Sequence, residues 1–308
     1  MYGENGGVPD RLMLLDTPSL YFRAYYGVPD SVTAPDGTPV NAIRGLLDFM
    51  ARLVRDFRPT RLVAAMDADW RPAWRVEMLP SYKAHRVGPG GGDQTPDALA
   101  TQVPIIEDVF AALGVATVGV AGYEADDVIG TLATHAPCPV DIVTGDRDLF
   151  QLVDDASAVR VLYIAKGVGN HERVTDEVVV GKYAVLPSQY ADFATMRGDA
   201  SDGLPGVAGV GDKTASSLLL TYGDLRGIID AAEDEDSGMA PGPRKKILTA
   251  EEYLKVAPTV VAVARDIDLG EPDLTCPTEP ADPESLTALA ERWGLTSSVE
   301  RVLSALSR

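Results

Sequence analysis

Val140-Asp141-Ile142-Val143-Thr144-Gly145-Asp146-Arg147-Asp148 is a short, mostly β-branched run that ends on a glycine and two carboxylates. The same arrangement recurs along the chain. Leu12-Met13-Leu14-Leu15 runs into Asp16, and Leu62-Val63-Ala64-Ala65-Met66 runs into Asp67. The apolar stretch 115–120 leads to Tyr123-Glu124-Ala125-Asp126-Asp127, where a helical pattern opens. Apolar runs alternating with helical stretches predict a mostly parallel, twisted α/β sheet flanked by helices, and such sheets bind ligands at the carboxyl ends of their strands. The carboxylates are therefore expected to crowd one crevice. Packed carboxylates repel and are costly to desolvate, so the cluster calls for a cation. Hard divalent ions with oxygen ligands, magnesium or manganese above all, suit it. The pattern predicts a catalytic metal site.

Composition sets outer bounds. A chain of 308 residues is long enough for one large α/β domain or two unequal ones. Its net charge of -19, from 46 acidic against 27 basic residues, by itself argues against a nucleic-acid partner. That argument weakens if many carboxylates sit on metal and the cations gather on one face. Cys138 and Cys276 have no metal-like spacing and imply no disulfide framework, as suits a reducing cytosol. Residues 1–9 lack the basic and apolar regions of a signal peptide and read as a flexible tail. The longest apolar stretch, 256–264, is far short of the ~20 residues of a membrane span. The chain reads as soluble and cytoplasmic, with no membrane partner.

Two parts emerge. Residues 10–185 alternate strand-like runs with helices, including an amphipathic helix over 40–57 and another over 95–113 that Gly114 stops. Between them, residues 85–96 read as a mobile, glycine-rich loop within a segment spanning 70–112. Residues 186–308 read almost wholly as helices: 188–197, one starting near Asp212, 251–265, 283–293, and a last one whose Ser297-Ser298-Val299-Glu300 has capping-box spacing. In this part Asp199-Ala200-Ser201-Asp202 supplies a second carboxylate pair. It is followed by a glycine-bearing segment, 203–215. Gly206 and Gly211 have Walker A spacing, but Asp212 separates Gly211 from Lys213 and would oppose a phosphate. A hairpin between two helices is the better reading. Its backbone N–H groups and the next helix N-terminus can hold a DNA phosphate without reading bases.

Together these segments resemble the structure-specific 5′ nuclease family, the flap endonucleases and 5′-3′ exonucleases that include the N-terminal nuclease domain of bacterial DNA polymerase I. The resemblance spans roughly residues 12–229. It rests on Leu15-Asp16, Met66-Asp67-Ala68, Gly122-Tyr123-Glu124-Ala125-Asp126-Asp127, Thr144-Gly145-Asp146-Arg147-Asp148-Leu149, Arg197-Gly198-Asp199-Ala200-Ser201-Asp202 and Leu204-Pro205-Gly206-Val207, in the family's order and spacing. It implies a nuclease core with a helical arch over 70–112 and a helix-hairpin-helix element in the helical region. The chain looks like a stand-alone version of the polymerase's nuclease domain.

The family's two metal clusters carry over onto nine carboxylates. Asp67, Glu124 and Asp126 would form one, with Asp16 nearby and partly acting through water. Asp146, Asp148, Asp199 and Asp202 would form the other, with Asp127 next to both. Two cations ~4 Å apart could activate a water and stabilise the leaving oxygen. Lys83 and Arg86, read as three apart on a helix, would face the scissile phosphate along with Arg75, and Asp16 would complete the catalytic set. Phe22, Arg23 and Tyr25 would meet DNA near the strand junction, and Tyr82 at the base of the arch. Gly206, Gly209, Gly211, Lys213 and Thr214 would hold duplex at the hairpin, where the resemblance also implies potassium. The implied substrate is DNA with a 5′ flap, nick or gap. The implied setting is replication and repair at the nucleoid, by a monomer working with a separate DNA polymerase and ligase.

Two positions depart from the family pattern. Gly203 stands where Asn is common after Ser-Asp, and the arch is glycine-rich and poor in charge between Val87 and Asp97. Competing readings fit less well. A haloacid-dehalogenase-type phosphatase needs a second Asp where Pro18 stands. A PIN-type ribonuclease shares the carboxylate core but would be shorter and lack the hairpin. A non-catalytic DNA-junction binding protein has no need of so complete a carboxylate set.

Overall fold

The computed structural model describes residues 10–88, 91–92 and 94–307; the tail expected over 1–9 lies outside them. The acid-tipped runs form the strands. β1 (Leu12–Asp16), β2 (Arg61–Ala65), β3 (Ala116–Val118), β4 (Val140–Thr144), β5 (Val159–Tyr163) and β6 (Glu172–Val174) lie in the order β3-β2-β1-β4-β5-β6. All neighbours pair in parallel except β5 and β6, so the sheet is mixed only at one edge. The chain runs outward from β1 through β2 to β3, then returns to the other side of β1 with β4. The topological switch therefore lies between β1 and β4, where a ligand crevice is expected.

Strand alternation sends Met13 and Leu15 to one face and Leu12 and Leu14 to the other, and each face is covered by helices. In the first half of the chain come α1 (Thr17–Gly27), α2 (Asn41–Phe57), α3 (Ala73–Met78), α4 (Asp97–Ala100), α5 (Val103–Leu113) and α6 (Ala125–His135). The second half adds α7 (Asp176–Tyr183), α8 (Tyr190–Arg197), α9 (Asp212–Tyr222), α10 (Leu225–Glu233), α11 (Pro241–Thr249), α12 (Glu251–Val261), α13 (Pro283–Trp293) and α14 (Thr296–Leu306). Met13 and Leu15 pack with α2, α5, α13 and α14; Leu12 and Leu14 pack with α6 and α8–α10.

Several expected boundaries shift for identifiable reasons. The helix read over 95–113 is broken into α4 and α5 by Gln102. Its buried Oε1 accepts from Ala42 N at 2.8 Å while its Nε2 donates to Asn41 Oδ1, so it caps α2. The helix read to 265 stops at Val261, because residues 260–264 are drawn out to bond with Arg75, Gln151 and Asp127. The Ser297–Glu300 capping box does not form: α14 already starts at Thr296, and Ser298 is buried and accepts from Arg301. After α12 the chain returns along the α/β core, with Leu62 N donating to Leu274 O and Asp282 N to Ala112 O. No helix among the described residues is long and apolar enough to cross a membrane.

Candidate active site

A cleft of about 460 Å³ opens at the carboxyl ends of β1 and β4. Asp16, Asp67, Glu124, Asp126 and Asp146 line it, together with Lys83 and Arg86. Local backbone logic aims each carboxylate. Asp16 caps α1, accepting from Ser19 N at 3.1 Å. Thr144 ties the two central strands: its hydroxyl donates to Asp16 Oδ2 at 2.5 Å and accepts from Asp146 N at 2.8 Å. Asp67 Oδ1 accepts from Ala125 N, and Glu124 caps α6, so both sit at a helix N-terminus that favours negative charge. Asp146 Oδ1 accepts from Asp148 N, and Asp199 accepts from the Ser201 N–H and hydroxyl.

The charges fall into two groups with a lysine between them. Burial first, then Asp67 and Asp146, push Asp16 up to about 7 against the pull of Thr144 and Ser19. Burial also holds Asp126 well above the carboxylate range, helped by Asp16, Asp146 and Glu124. On the other side, Asp148 is raised by burial and then by Asp146, Asp202 and Asp199. Asp146, at the open edge, is raised by loss of water, and Asp202 and Asp199 add to this. Burial alone would raise Asp199, but the Ser201 hydrogen bonds and Arg197 outweigh it and hold this carboxyl low. Lys83 donates to Glu124. Burial opposes its charge, yet Glu124 and then Asp202 and Asp67 keep it ionised well beyond the ordinary lysine range.

Four expected residues take other places. Arg75 is only 2% exposed and lies behind the carboxylates, out of reach of a phosphate. Its Nη1 donates to Glu124 Oε2 at 2.6 Å and to Asp127 Oδ2 at 2.8 Å, its Nη2 to Asp127 Oδ1 at 2.7 Å, and its Nε to Val260 O. Asp127 is fully buried, with its oxygens taken by Arg75, Glu124 N and Ala264 N, and so stands outside both carboxylate groups. Tyr82 is buried, its hydroxyl donating to Glu124, and offers no surface to DNA. Tyr25 packs against the core while its neighbour Tyr26, 73% exposed, presents the open ring.

Phe22 lines the cleft, and Arg23 donates to Ala165 O beside it. Lys83 and Arg86 do not share one helix. Lys83 has a left-handed backbone, φ 47, ahead of a single 3-10 turn, Ala84–Arg86. Both still reach the cleft, because Arg86 bonds Ser201 O and Asp202 Oδ1, which ties the segment over 70–112 to the second carboxylate pair. At the hairpin, Gly206 is a packing glycine: at φ 67, a Cβ would meet the Arg197 carbonyl at 2.6 Å. Gly209, Gly211 and Lys213 are exposed, and Thr214 is half-buried in the first turn of α9.

The sequence reading missed Thr144, Gln151 and the cleft-lining Trp70. Thr144 lies inside the Thr144-Gly145-Asp146 run, but a hydroxyl bridging two strands leaves no pattern in one strand's sequence. Among the described residues, no three acidic, His or Cys side chains already converge tightly enough to hold a metal. The donor set nonetheless fits a hard cation. It is all oxygen, and Lys83 and Arg86 are drawn onto two of its members where the repulsion needs positive charge.

The model of the 5′-3′ exonuclease N-terminal resolvase-like domain matches residues 11–184, and that of the 5′-3′ exonuclease C-terminal SAM fold matches residues 185–284. A 5′-3′ exonuclease of Streptomyces coelicolor is 60% identical over 300 residues, covering 96% of this chain and 100% of the relative. DNA polymerase I of Mycobacterium bovis is 39% identical over 282 residues, 90% of this chain and 30% of that longer protein. The bacteriophage T5 D15 flap endonuclease, solved in a pseudo-enzyme-product complex with DNA and metal ions, shares the fold. Its TM-score is 0.63 at 18% identity, over 97% of this chain and 100% of the other.

Proposed function

This chain belongs to the 5′-3′ exonuclease family and is a hydrolytic nuclease, and we propose that it is a divalent-metal-dependent 5′ nuclease of DNA. It hydrolyses phosphodiesters near the junction of single strand and duplex, as flap endonuclease and 5′-3′ exonuclease, in replication and repair. The observation that carries this reading is the cleft at the β1–β4 switch, lined by Asp16, Asp67, Glu124, Asp126 and Asp146, with Lys83 between these acids and Asp202. Asp67, Glu124 and Asp126, with Asp16, would hold one magnesium or manganese ion. Asp146, Asp148, Asp199 and Asp202 would hold the other. Such ions supply an activated water and neutralise charge on the leaving oxygen.

The chain's own residues do the rest. Thr144 keeps Asp16 and Asp146 at a fixed separation. Lys83 and Arg86, released from Glu124 and Asp202, are the side chains that can turn to the reacting phosphate. Charge developing there is best met by fixed cations. Phe22 and Tyr26 can stack on an unpaired base at the junction. The exposed hairpin holds duplex at a distance, and potassium bound there would strengthen that grip without replacing the divalent metal. The chain's likeness to the DNA polymerase I of Mycobacterium bovis supports work alongside a DNA polymerase and a ligase, at the nucleoid of the cytoplasm and as a monomer.

The test is cleavage of a 5′-labelled flap duplex with magnesium, manganese or excess chelator, alongside blunt duplex and an RNA hairpin. Cleavage should need metal, favour the flap and ignore sequence. Full activity in chelator would overturn the metal assignment, and preference for the RNA hairpin would favour a PIN-type ribonuclease.

A further inference from the structure

Lys246, on α11, reaches across to the hairpin, where its Nζ donates to Gly209 O at 2.8 Å. Gly209 has φ 73, and a Cβ there would lie 3.3 Å from Lys246 Cε and Nζ, so ammonium and hairpin tip are in direct contact. Lys245, exposed on the same helix, lines a shallow groove with Arg244, Pro241 and Thr249. Lys213 is exposed in the first turn of α9. Lys182 pairs with Glu172, and Lys255 with Glu251 and Glu252. Lys246 instead bonds a carbonyl, which leaves its full charge at the tip. In a chain of net charge -19, an ammonium held at an exposed glycine tip by a carbonyl and not by a carboxylate marks where an anion belongs.

We infer that α11 is a second wall of the hairpin's phosphate site, with Lys246 and Lys245 holding backbone phosphates of the DNA duplex away from the cleft. This rests on the DNA nuclease reading and names residues that the hairpin motif does not contain. The chemistry selects nucleic acid over an acidic protein segment. The donors are point-charge ammoniums beside exposed backbone N–H groups, which suit phosphate oxygens and carry no base specificity. Lys246 lies among none of the cleft-lining residues, so its part is in affinity and not in the chemical step.

The experiment measures binding of a 5′ flap duplex, in excess chelator to prevent cleavage, across a salt series for the wild type, Lys246→Met, Lys246→Arg and Lys245→Met. Each phosphate contact contributes about 0.9 to the slope of log K against log salt, or about eightfold in affinity near 0.1 M. Lys246→Met should bind about eightfold more weakly, with a slope shallower by about 0.9. Lys246→Arg should restore both. Unchanged affinity and slope in both Met variants would overturn the inference. It would also fall if Lys246→Arg bound as poorly as Lys246→Met and both melted at lower temperature, since Lys246 would then only pin the hairpin. A wild type that failed to bind the duplex at all would instead sink the nuclease reading.

Discussion

Asp146 shows how much one side chain carries. Its carboxylate orders the turn through Asp148 N, feels Asp202 and Asp199, and lines the cleft beside Asp16. Asp146→Asn keeps the shape and the acceptor but removes a charge from a divalent site. Cleavage of the flap duplex should fall by at least the ~10–100-fold typical of losing an indirect metal partner. Binding should hold or tighten, because a negative charge facing phosphates is gone. Wild-type turnover by this variant would remove Asp146 from the site. That Asp146 belonged with Asp16 and Asp67 was legible in the sequence, since each ends an apolar run and strand ends share one edge of a parallel sheet. That Asp127 would turn away was not legible. It sits beside Asp126 in sequence, yet the step of about 100° between successive helical residues sends the two carboxylates in different directions, one to the cleft and one to Arg75.

At the scale of elements, the N-terminus of α6 is where core and helical region meet. Arg75 from α3 joins Glu124, which caps α6, Asp127 in its first turn, and the carbonyls of Val260 in the last turn of α12 and Ala262 just beyond it. Gln151 ties the same return segment to the turn carrying Asp148, through Asp148 O and Val263 N. Arg75 thus positions Glu124 and does not touch substrate. Arg75→Met would leave the buried Asp127 without its counter-charge and Glu124 with Lys83 alone, a loss of about 3–5 kcal/mol. Arg75→Lys keeps a charge but cannot fork to both carboxylates, so it should recover only part of that stability. Chemical denaturation measures the stabilities, and a manganese titration by calorimetry should show weaker metal binding in Arg75→Lys. If Arg75→Lys matched the wild type in both stability and metal binding, the positioning role would be lost. The α3–α6 register was invisible in sequence because its partners lie 49 and 185 residues from Arg75.

Across the whole molecule, the carboxylate cluster makes stability depend on pH and metal together. Asp16, Asp126, Asp146 and Asp148 all titrate above their ordinary value of 3.8 when folded. Between that value and their raised folded values, the folded state holds protons that the unfolded chain has released. In chelator, stability should therefore fall as pH rises from about 4 towards 7. A divalent cation competes with those same protons, so it should bind more tightly as pH rises and lift the melting temperature more at pH 8 than at pH 6. Thermal melts with and without manganese at the two values provide the check. An equal lift at both would mean that the cluster is already ionised without metal.

The sequence by itself determined the parallel α/β sheet, the crevice and most of its acids. Strand alternation, apolar runs and the carboxylates that end them are all local patterns, and a parallel sheet collects strand ends at one edge. The glycine hairpin and the helices around it were equally local. Only the tertiary structure decided which acids face the cleft and which are bound behind it, that Lys83 and Arg86 meet different carboxylates, and that α11 places Lys246 on the hairpin. Those outcomes depend on which oxygens find donors from distant segments. A carboxylate and its partner arginine or lysine attract through space, and sequence separation leaves no trace of that attraction.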